Sequence, residues 1–317
     1  MNNPKRQHIV ARVYLEGFTN PTWLLNFYDR DKKTFKEQNP LTISRINHFY
    51  TLVDDKWNKD FSVESFFWNV IESRLPEVFQ KIENYKVLNL EEKDILASFI
   101  SFQLLKTESF QKSVDKASLG MMKRHHDVYC NDEQLFISFK ESYKADKWSE
   151  LEISFEDFKD IYKNFDIQPT NRMFIRLMFE TYDEVFPIIR HLDWEFMVSK
   201  KDTTFLTSDN PFSKMQKNTK ATWGLIDNNT LRIFPISKDI CLKFTTPEKP
   251  LKDNFMFYKE VPTKKLVWFY NGVIAVNSHR LIIGKDKALI ESIIKKNDIN
   301  SKGKHETLRV YHSPKKT

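Results

Sequence analysis

Glycine is scarce in this sequence, and its scarcity excludes several kinds of cofactor site. The chain has 6 glycines in 317 residues, well below the usual share of ~7%, and no two of them form a G-x-G pair. A dinucleotide-binding fingerprint, a phosphate-binding P-loop and the G-x-S-x-G turn of hydrolases all need glycines where the backbone turns sharply or approaches a phosphate. We therefore expect no nucleotide cofactor.

Cysteine and long apolar runs are also lacking. The two cysteines, Cys130 and Cys241, form no C-x-x-C pair, so the sequence predicts neither a disulfide framework nor a cysteine zinc site. No run of about 18 apolar residues is present, and the first residues lack the apolar segment of a secretory signal. These absences predict a cytosolic protein without a membrane partner, and they leave its oligomeric state open.

Positive charge is concentrated near the end of the chain. The formal net charge is +7, and residues 295–317 contain seven Lys or Arg against Asp298 and Glu306, which is +5, leaving +2 for the rest. A basic tail of this kind either binds phosphates weakly, as in a nucleic acid, or only keeps a terminus soluble. We predict one α+β domain over residues 1–294, followed by a basic C-terminal tail over residues 295–317.

Hydrophobic periodicity predicts strands at both ends of the domain and helices between them. Apolar residues recur at helical spacing through much of residues 61–192, and no Pro/Gly-rich linker or internal repeat divides the chain. The expected fold is α+β, with a mixed or antiparallel sheet built from N- and C-terminal strands around a long helical middle section. Predicted strands cover residues 23–28, 48–53, 194–198, 204–207, 231–235 and 240–244, and predicted helices cover residues 61–82, 90–122, 154–165, 169–192, 264–283 and 287–296.

One predicted strand runs directly into a polar turn. Phe205, Leu206 and Thr207 are followed by Ser208, Asp209, Asn210 and Pro211. The residue before a proline is biased toward extended geometry, so the chain cannot simply continue as a helix. Side chains at such a strand end can meet a ligand, although most turns of this composition are structural. Asp209 is a candidate catalytic or metal-binding group, and Ser208 and Asn210 are candidate substrate-binding groups.

Two polar residues interrupt the apolar faces of predicted helices. Glu64 falls at the centre of a face formed by residues such as Phe67 and Ile71. A carboxylate facing a core is costly unless it is paired, protonated or metal-bound, although a first-turn Glu is also favoured by the helix dipole. Gln103 is central on the next helix. Its amide either organises the core or reads a bound group. Lys106 at the margin either offers a cation for phosphate or carboxylate or is a solvated lysine, which is the commoner case.

The amino-terminal segment contributes His8 and Arg12. If residues 7–15 are helical, these two side chains share one face, with His8 as a base, a metal ligand or a structural histidine and Arg12 as a substrate-binding cation. A second group, His125 and His126 with Cys130, is a weaker metal candidate because adjacent histidines diverge on a helix and no fourth ligand lies near in sequence.

In their order along the chain, these segments resemble the bacterial domain-of-unknown-function 4238 family. The resemblance rests on the following residues: Gln7-His8-Ile9-Val10, Tyr14-Leu15, Phe18, Tyr28-Asp29-Arg30, Phe49-Tyr50, Val63-Glu64, Phe67, Glu72, Gln103, Thr107, Trp194, Thr207 to Pro211, Asn271 and Arg280. The sequence departs from the family pattern at Ala11, where Pro is expected, and at Lys106, where Arg is expected. The resemblance implies a shared fold and a common pocket lined by His8, Glu64, Gln103 and Asp209, and it supplies no activity.

Three functions compete on this basis. In the first, the protein is a metal-dependent phosphodiester hydrolase, such as a nuclease in host defence, with Mg or Mn held by Glu64 and Asp209 and with His8 as base. In the second, it is a non-catalytic module that binds a small ligand or a nucleic acid. In the third, the inward polar residues only organise the fold.

Overall fold

The computed structural model describes residues 6–54, 56–142, 153–164, 167–200, 202–218, 224–247 and 256–299. Contacts divide the chain into two compact units, one formed by Met1–Ser109 with Met178–Thr317 and the other by Phe110–Leu177. Each unit is described by itself below. Of the predicted basic tail, residues 300–317 lie outside the described residues.

The strands of the first unit form two larger sheets and two small ladders. One sheet has the order β12-β7-β11-β10-β9 and the other has the order β3-β2-β13-β8, while β1 pairs with β4 and β5 with β6. Only the β12–β7 pairing is parallel, so the first sheet is mixed. The strands are β1 (Arg6–His8), β2 (Leu25–Asp29), β3 (Thr34–Gln38), β4 (Arg45–Asn47), β5 (Leu52–Val53), β6 (Lys59–Asp60), β7 (Asp193–Val198), β8 (Thr207–Ser208), β9 (Ser213–Gln216), β10 (Thr230–Pro235), β11 (Ile240–Thr245), β12 (Met256–Glu260) and β13 (Leu281–Gly284).

Helices fill the middle of the chain and return near its end, so the predicted α+β class is confirmed. A π-helical turn (Phe67–Ile71) and a 3-10 helix (Glu72–Arg74) connect the second and third α-helices. The α-helices are α1 (Arg12–Glu16), α2 (Ser62–Phe66), α3 (Leu75–Glu83), α4 (Leu90–Leu105), α5 (Glu108–Cys130), α6 (Glu133–Ser142), α7 (Phe155–Lys159), α8 (Ile161–Asn164), α9 (Asn171–His191), α10 (Lys264–Asn277) and α11 (Lys287–Asn297).

Side-chain caps fix where several of these helices begin. Asn89 and Glu92 form a reciprocal capping box at the start of α4, and Asp286 caps α11 by accepting from the backbone of Ala288. Helices α10 and α11 pack on each other and against strands of both larger sheets. Their apolar faces bury a core that includes Leu206, Ile274 and Ile290. This core fixes the strand ends at which Asp209 and the polar residues next to it lie.

The predicted helix over residues 264–283 is wrong at its end. Helix α10 stops at Asn277, Ser278 is extended, and the apolar run at residues 281–283 forms β13 between β2 and β8. Gly284 is therefore a strand residue, and its role is close packing: a Cβ there would lie 2.5 Å from Leu206 Cδ2. Helical spacing alone could not separate a buried helix from a short buried strand.

The predicted helix over residues 90–122 is interrupted once. Helix α4 ends at Leu105, Lys106 leaves helical geometry with φ −84° and ψ 53°, and α5 begins at Glu108. Residues 7–15 do not form one helix, because β1 ends at His8 and α1 begins at Arg12, so His8 and Arg12 do not share a helical face. Two charged side chains, those of Lys106 and Glu108, lie at the α4–α5 break.

The second unit is helical in its described residues and rich in aromatic contacts. The ring of Phe136 lies 4.9 Å from that of Phe158, and Ser154 caps α7 by accepting from the backbone of Asp157. The predicted helix over residues 154–165 is present as the two short helices α7 and α8, with Phe165 outside the described residues. None of the described helices combines the length and apolar character needed to cross a bilayer.

Candidate functional site

Lys106 is a buried cation at the α4–α5 break. Its side chain is only 2% exposed, and its Nζ donates to Glu72 Oε1 at 2.9 Å. The same Nζ lies 4.5 Å from the ring centroid of Phe67 and 5.8 Å from that of Tyr50. Removing an ammonium group from water is costly, and one ion pair with two aromatic faces compensates for part of that cost. Its position predicts that Lys106 is functional or essential to the fold rather than a solvated surface lysine.

Glu72, the partner of Lys106, lies in an irregular helical segment. Glu64 lies in the first turn of α2, the π-helical turn follows it, and Glu72 opens the 3-10 helix. A π-helical turn is rare and is often found at functional sites. Burial raises the pKa of Glu64, and the charge of nearby Glu72 raises it further, whereas Lys106 lowers it. The two carboxyl groups therefore stand in different electrostatic environments within one cluster.

His8 lies beside this cluster, and its Nε2 already accepts a hydrogen bond. Strand β1 pairs with β4 so that His8 lies opposite Arg45, whose Nε donates to His8 Nε2 at 2.9 Å. The charges of Glu72 and Lys106 both act on His8, which places it beside this cluster. Burial and the Arg45 charge lower the pKa of His8 to about 4. A neutral imidazole that already accepts from a guanidinium is poorly suited to act as a general base.

Gln103 is fully buried and its amide is unsatisfied. The residue is 0% exposed, and neither Nε2 nor Oε1 has a hydrogen-bond partner within the part of the chain that the structure describes. It lies on α4, one turn before Lys106 and one turn after Phe99, whose ring is 5.6 Å from that of Tyr14. A buried amide normally has partners for its donors and its acceptor. Gln103 is therefore an unexplained polar group, and we call His8, Glu64, Glu72, Gln103 and Lys106 the junction site.

Asp209 acts as a clamp between two chain segments. Its Oδ1 accepts from the backbone N–H of His279 at 3.0 Å, and its Oδ2 accepts from that of Arg280 at 2.8 Å. Burial raises the pKa of Asp209 to about 6, with a smaller contribution from the charge of Glu108, although the backbone donors lower it. Both carboxylate oxygens are occupied, so this side chain explains why the chain can leave α10 and enter β13.

The remaining predicted substrate-binding residues have local partners. Ser208 Oγ accepts from the backbone of Asn210 at 3.1 Å, and Asn210 Nδ2 donates to the Asn277 carbonyl at 3.0 Å. Arg12 is 54% exposed and pairs with Glu16 at 2.7 Å on α1. These contacts describe a structured turn and a surface ion pair.

The structure brings His8, Glu64 and Lys106 into one electrostatic cluster, and Asp209 lies in a neighbouring one. Both Lys106 and Glu108 belong to the α4–α5 break, and Glu108 Oε2 lies 3.9 Å from His279 Nε2, next to the Asp209 clamp. The sequence interpretation gave no role to Arg45 or Glu108. Arg45 meets His8 only through the β1–β4 register, which no local pattern reveals.

Metal-binding groups do not converge at either cluster. Over the described ranges, no group of three or more His, Cys, Asp or Glu residues could hold a metal ion. The weaker candidate near His126 consists of a contact at 3.1 Å between its Nε2 and Cys130 Sγ. A groove of about 450 Å³ elsewhere in the first unit, lined in part by Asp202, Trp268 and Asp286, includes none of the predicted site residues.

Comparison with known proteins gives a family and no activity. No curated protein and no solved structure matches this chain. The family described as "Protein of unknown function (DUF4238)" matches residues 6–288, which include the junction site and the Asp209 clamp. The chain therefore belongs to the DUF4238 family.

Proposed function

We propose that the protein binds a small polar ligand at the junction site. The observation that carries this proposal is the buried amide of Gln103, which lacks partners for both its donor and its acceptor in the described structure. Each buried polar group left without a hydrogen bond costs about 1–3 kcal/mol. A ligand with adjacent donor and acceptor atoms would satisfy Gln103, and Lys106 could donate to the same molecule because its ammonium group has three donors and one carboxylate partner.

The charges of the site indicate the chemical class of the ligand and not which compound it is. The cluster contains two cations, Lys106 and Arg45, and two carboxylates, of which Glu64 has a raised pKa. Because the cluster holds two charges of each sign, it suits a ligand that is neutral or that carries charges of both signs. We include a cytosolic location in the proposal, in keeping with the two free cysteines.

The test compares wild type with Gln103→Met by thermal unfolding against a panel of nucleosides, nucleotides, amino acids and carboxylic acids. Methionine keeps the length of glutamine without its polar atoms. We expect at least one compound to raise the wild-type melting temperature, since a ligand that binds only the folded state stabilises it. The variant should lose that increase while being as stable as wild type, or more so, without ligand.

Ser101→Ala is the matched control on the same helix. The Ser101 hydroxyl is buried and already donates to the Ala97 carbonyl at 2.7 Å, so its loss should leave the ligand response unchanged. If Gln103→Met instead lowers the stability of the free protein and no compound discriminates it from wild type, Gln103 is a fold organiser and the proposal is wrong.

A second candidate function is hydrolysis of a phosphodiester, as in a nuclease. The observation that favours it is the pair Glu64 and Glu72: an acid with a raised pKa stands beside a carboxylate held by Lys106. Two carboxyl groups in different environments can divide acid and base roles. If Mg or Mn takes part, Glu64 and Glu72 are the candidate ligands, since both oxygens of Asp209 accept backbone N–H groups.

Cleavage of labelled single- and double-stranded RNA and DNA, with Mg or Mn and with chelator, tests this candidate. We expect Glu64→Gln to remove cleavage while leaving folding intact, and Asp209→Asn to act only through stability. Absence of cleavage by wild type on all four substrates would leave ligand binding as the proposed function. A host-defence role would follow only from cleavage of foreign nucleic acid.

A further inference from the structure

Two arginines lie directly opposite each other at the end of the β2–β13 ladder. Asp29 pairs with Leu281 in the antiparallel register, and the backbone N–H of Arg30 donates to the Arg280 carbonyl at 2.9 Å. Arg30 and Arg280 therefore continue the ladder by one pair beyond the strand ends. Like charges at directly opposite positions are destabilising. The charges of Asp209 and Asp31 act on Arg30, and Asp29 forms an ion pair with Arg280.

The nearby carboxylates supply charge at a distance, and their hydrogen bonds are committed elsewhere. Both oxygens of Asp209 accept backbone N–H groups, and Asp29 Oδ1 accepts from the backbones of Asp31 and Lys32 at 3.0 and 3.1 Å. Asp29 Oδ2 approaches Arg280 Nε only to 4.0 Å. That distance is too long for a hydrogen bond. Neither Asp29 nor Asp209 therefore accepts a hydrogen bond from the guanidinium group of Arg30 or Arg280.

The two guanidinium groups differ in their present contacts. Arg30 Nη1 donates to the carbonyl of Ser278 and lies 3.2 Å from its hydroxyl. Arg280 Nε is buried and has no hydrogen-bond partner among the described residues, while the side chain as a whole is 35% exposed. Part of the Arg280 side chain is thus open to solvent, and its Nε donor has no acceptor among the described residues. Burial also lowers the pKa of Arg30, which an added anion would oppose.

We propose that Arg30 and Arg280 form a fork that binds a phosphate group. Guanidinium groups present planar sets of donors that match phosphate oxygens, and such charge-assisted bonds are stronger than neutral ones. A tetrahedral anion that contacts both arginines offers an acceptor to Arg280 Nε, which has none among the described residues. This phosphate fork shares no residue with the junction site, so its test is independent of the function proposed above.

The experiment measures binding of inorganic phosphate by ³¹P NMR line broadening and by thermal unfolding, at constant ionic strength set with chloride. We expect phosphate to raise the wild-type melting temperature beyond the chloride control. The double variant Arg30→Gln/Arg280→Gln should bind phosphate at least about tenfold more weakly, which corresponds to the loss of one charge-assisted hydrogen bond or more. The single variant Arg280→Gln keeps the Arg30 contacts with Ser278, and it should show a smaller loss.

A matched control removes the same total charge elsewhere. Arg74 and Arg124 are exposed, and the variant Arg74→Gln/Arg124→Gln should respond to phosphate as wild type does. Adenosine monophosphate is the second probe: tighter binding than inorganic phosphate assigns the site to a phosphate ester, and equal binding assigns it to the free anion. The same phosphate response in wild type and in both Arg280 variants, all shown to be folded by circular dichroism, would overturn the proposal.

Discussion

The buried carboxylate of Asp209 makes the stability of the fold depend on pH. Its pKa of about 6 in the folded protein exceeds its ordinary value of 3.8, so the folded state binds more protons than the unfolded state between these values. The contribution of Asp209 to stability is therefore present below about pH 4 and is lost as the pH rises through about 6. His8 has the opposite sign, because its lowered pKa adds stability above pH 6.5 that is lost as the pH falls through about 4.

We predict that Asp209→Asn removes a pH dependence from stability. Between pH 4 and pH 6.5, the unfolding free energy of wild type should fall relative to that of the variant by about 2 kcal/mol, because the folded state gives up its extra proton over this range. Urea unfolding of both proteins across this range measures it. The His8 contribution is common to both proteins and cancels. A difference that stays constant with pH would contradict the raised pKa of Asp209.

Lys106 and Glu72 offer a second prediction about single side chains. Lys106→Met leaves Glu72 and Glu64 without their buried cation, and it should cost about 3–5 kcal/mol of unfolding free energy. The double variant Lys106→Met/Glu72→Leu should recover much of that loss, since apolar replacement of a whole buried pair is often nearly neutral.

A double-mutant cycle in urea measures the coupling between these residues. The exposed pair Arg74 and Glu91 provides the control, because surface ion pairs contribute about 0–1 kcal/mol. If the Lys106–Glu72 coupling is no larger than that of the surface pair, the junction site is better solvated than its burial indicates.

Strand β13 depends on a glycine for its close contact with Leu206, the residue directly before β8. A Cβ at Gly284 would meet Leu206 Cδ2, which belongs to a fully buried side chain. We predict that Gly284→Ala lowers the unfolding free energy by about 1–3 kcal/mol, as overpacking of a core does. The loss should shrink in a Leu206→Val background, because valine withdraws the clashing methyl group. Thermal or urea unfolding of the four proteins measures it.

Gly120 provides the contrasting case in an element of the second unit. A Cβ there meets only Arg124 Nη1 at 3.7 Å, and the position lies inside helix α5. Gly120→Ala should therefore stabilise the helix by about 0.5–1 kcal/mol. An equal loss at both glycines would show that packing against Leu206 is not the cause at Gly284.

The described elements of the two compact units differ in how many of their residues are buried. Hydrogen exchange should reveal this difference. Strand β10 is buried throughout and lies between β9 and β11, whereas α5 buries only Val114 and Ser118 in its described length. Elements with few buried apolar contacts open at lower free energy. Mass spectrometry should find slower amide exchange in β10 and β11 than in α5 and α6. Equal protection would contradict the difference in burial.

The sequence predicted much of the fold because most elements repeat one periodicity along their length. The fold class and most helices followed from that pattern, and polar residues on apolar faces identified Glu64 and Gln103. It missed β13, since residues 281–283 continue the apolar content of α10, and it missed the α4–α5 break, since no Pro or Gly occupies residues 106–107. The pairing of His8 with Arg45 arises from strand register across the chain, which local spacing does not encode.

The π-helical turn sets the direction in which the Glu72 side chain leaves the helical segment. A π-helical turn holds about one residue more than an α-helical turn, and each residue of an α-helix advances by about 100°. An uninterrupted α-helix from Ser62 would therefore aim the side chain at residue 72 about a quarter of a circle or more away from its present direction. Deletion of the exposed Val70 would remove that extra residue, so a regular α-helix would then carry Glu72 in about its present direction. The π-helical turn thus lets the segment hold one more residue while Glu72 stays paired with Lys106.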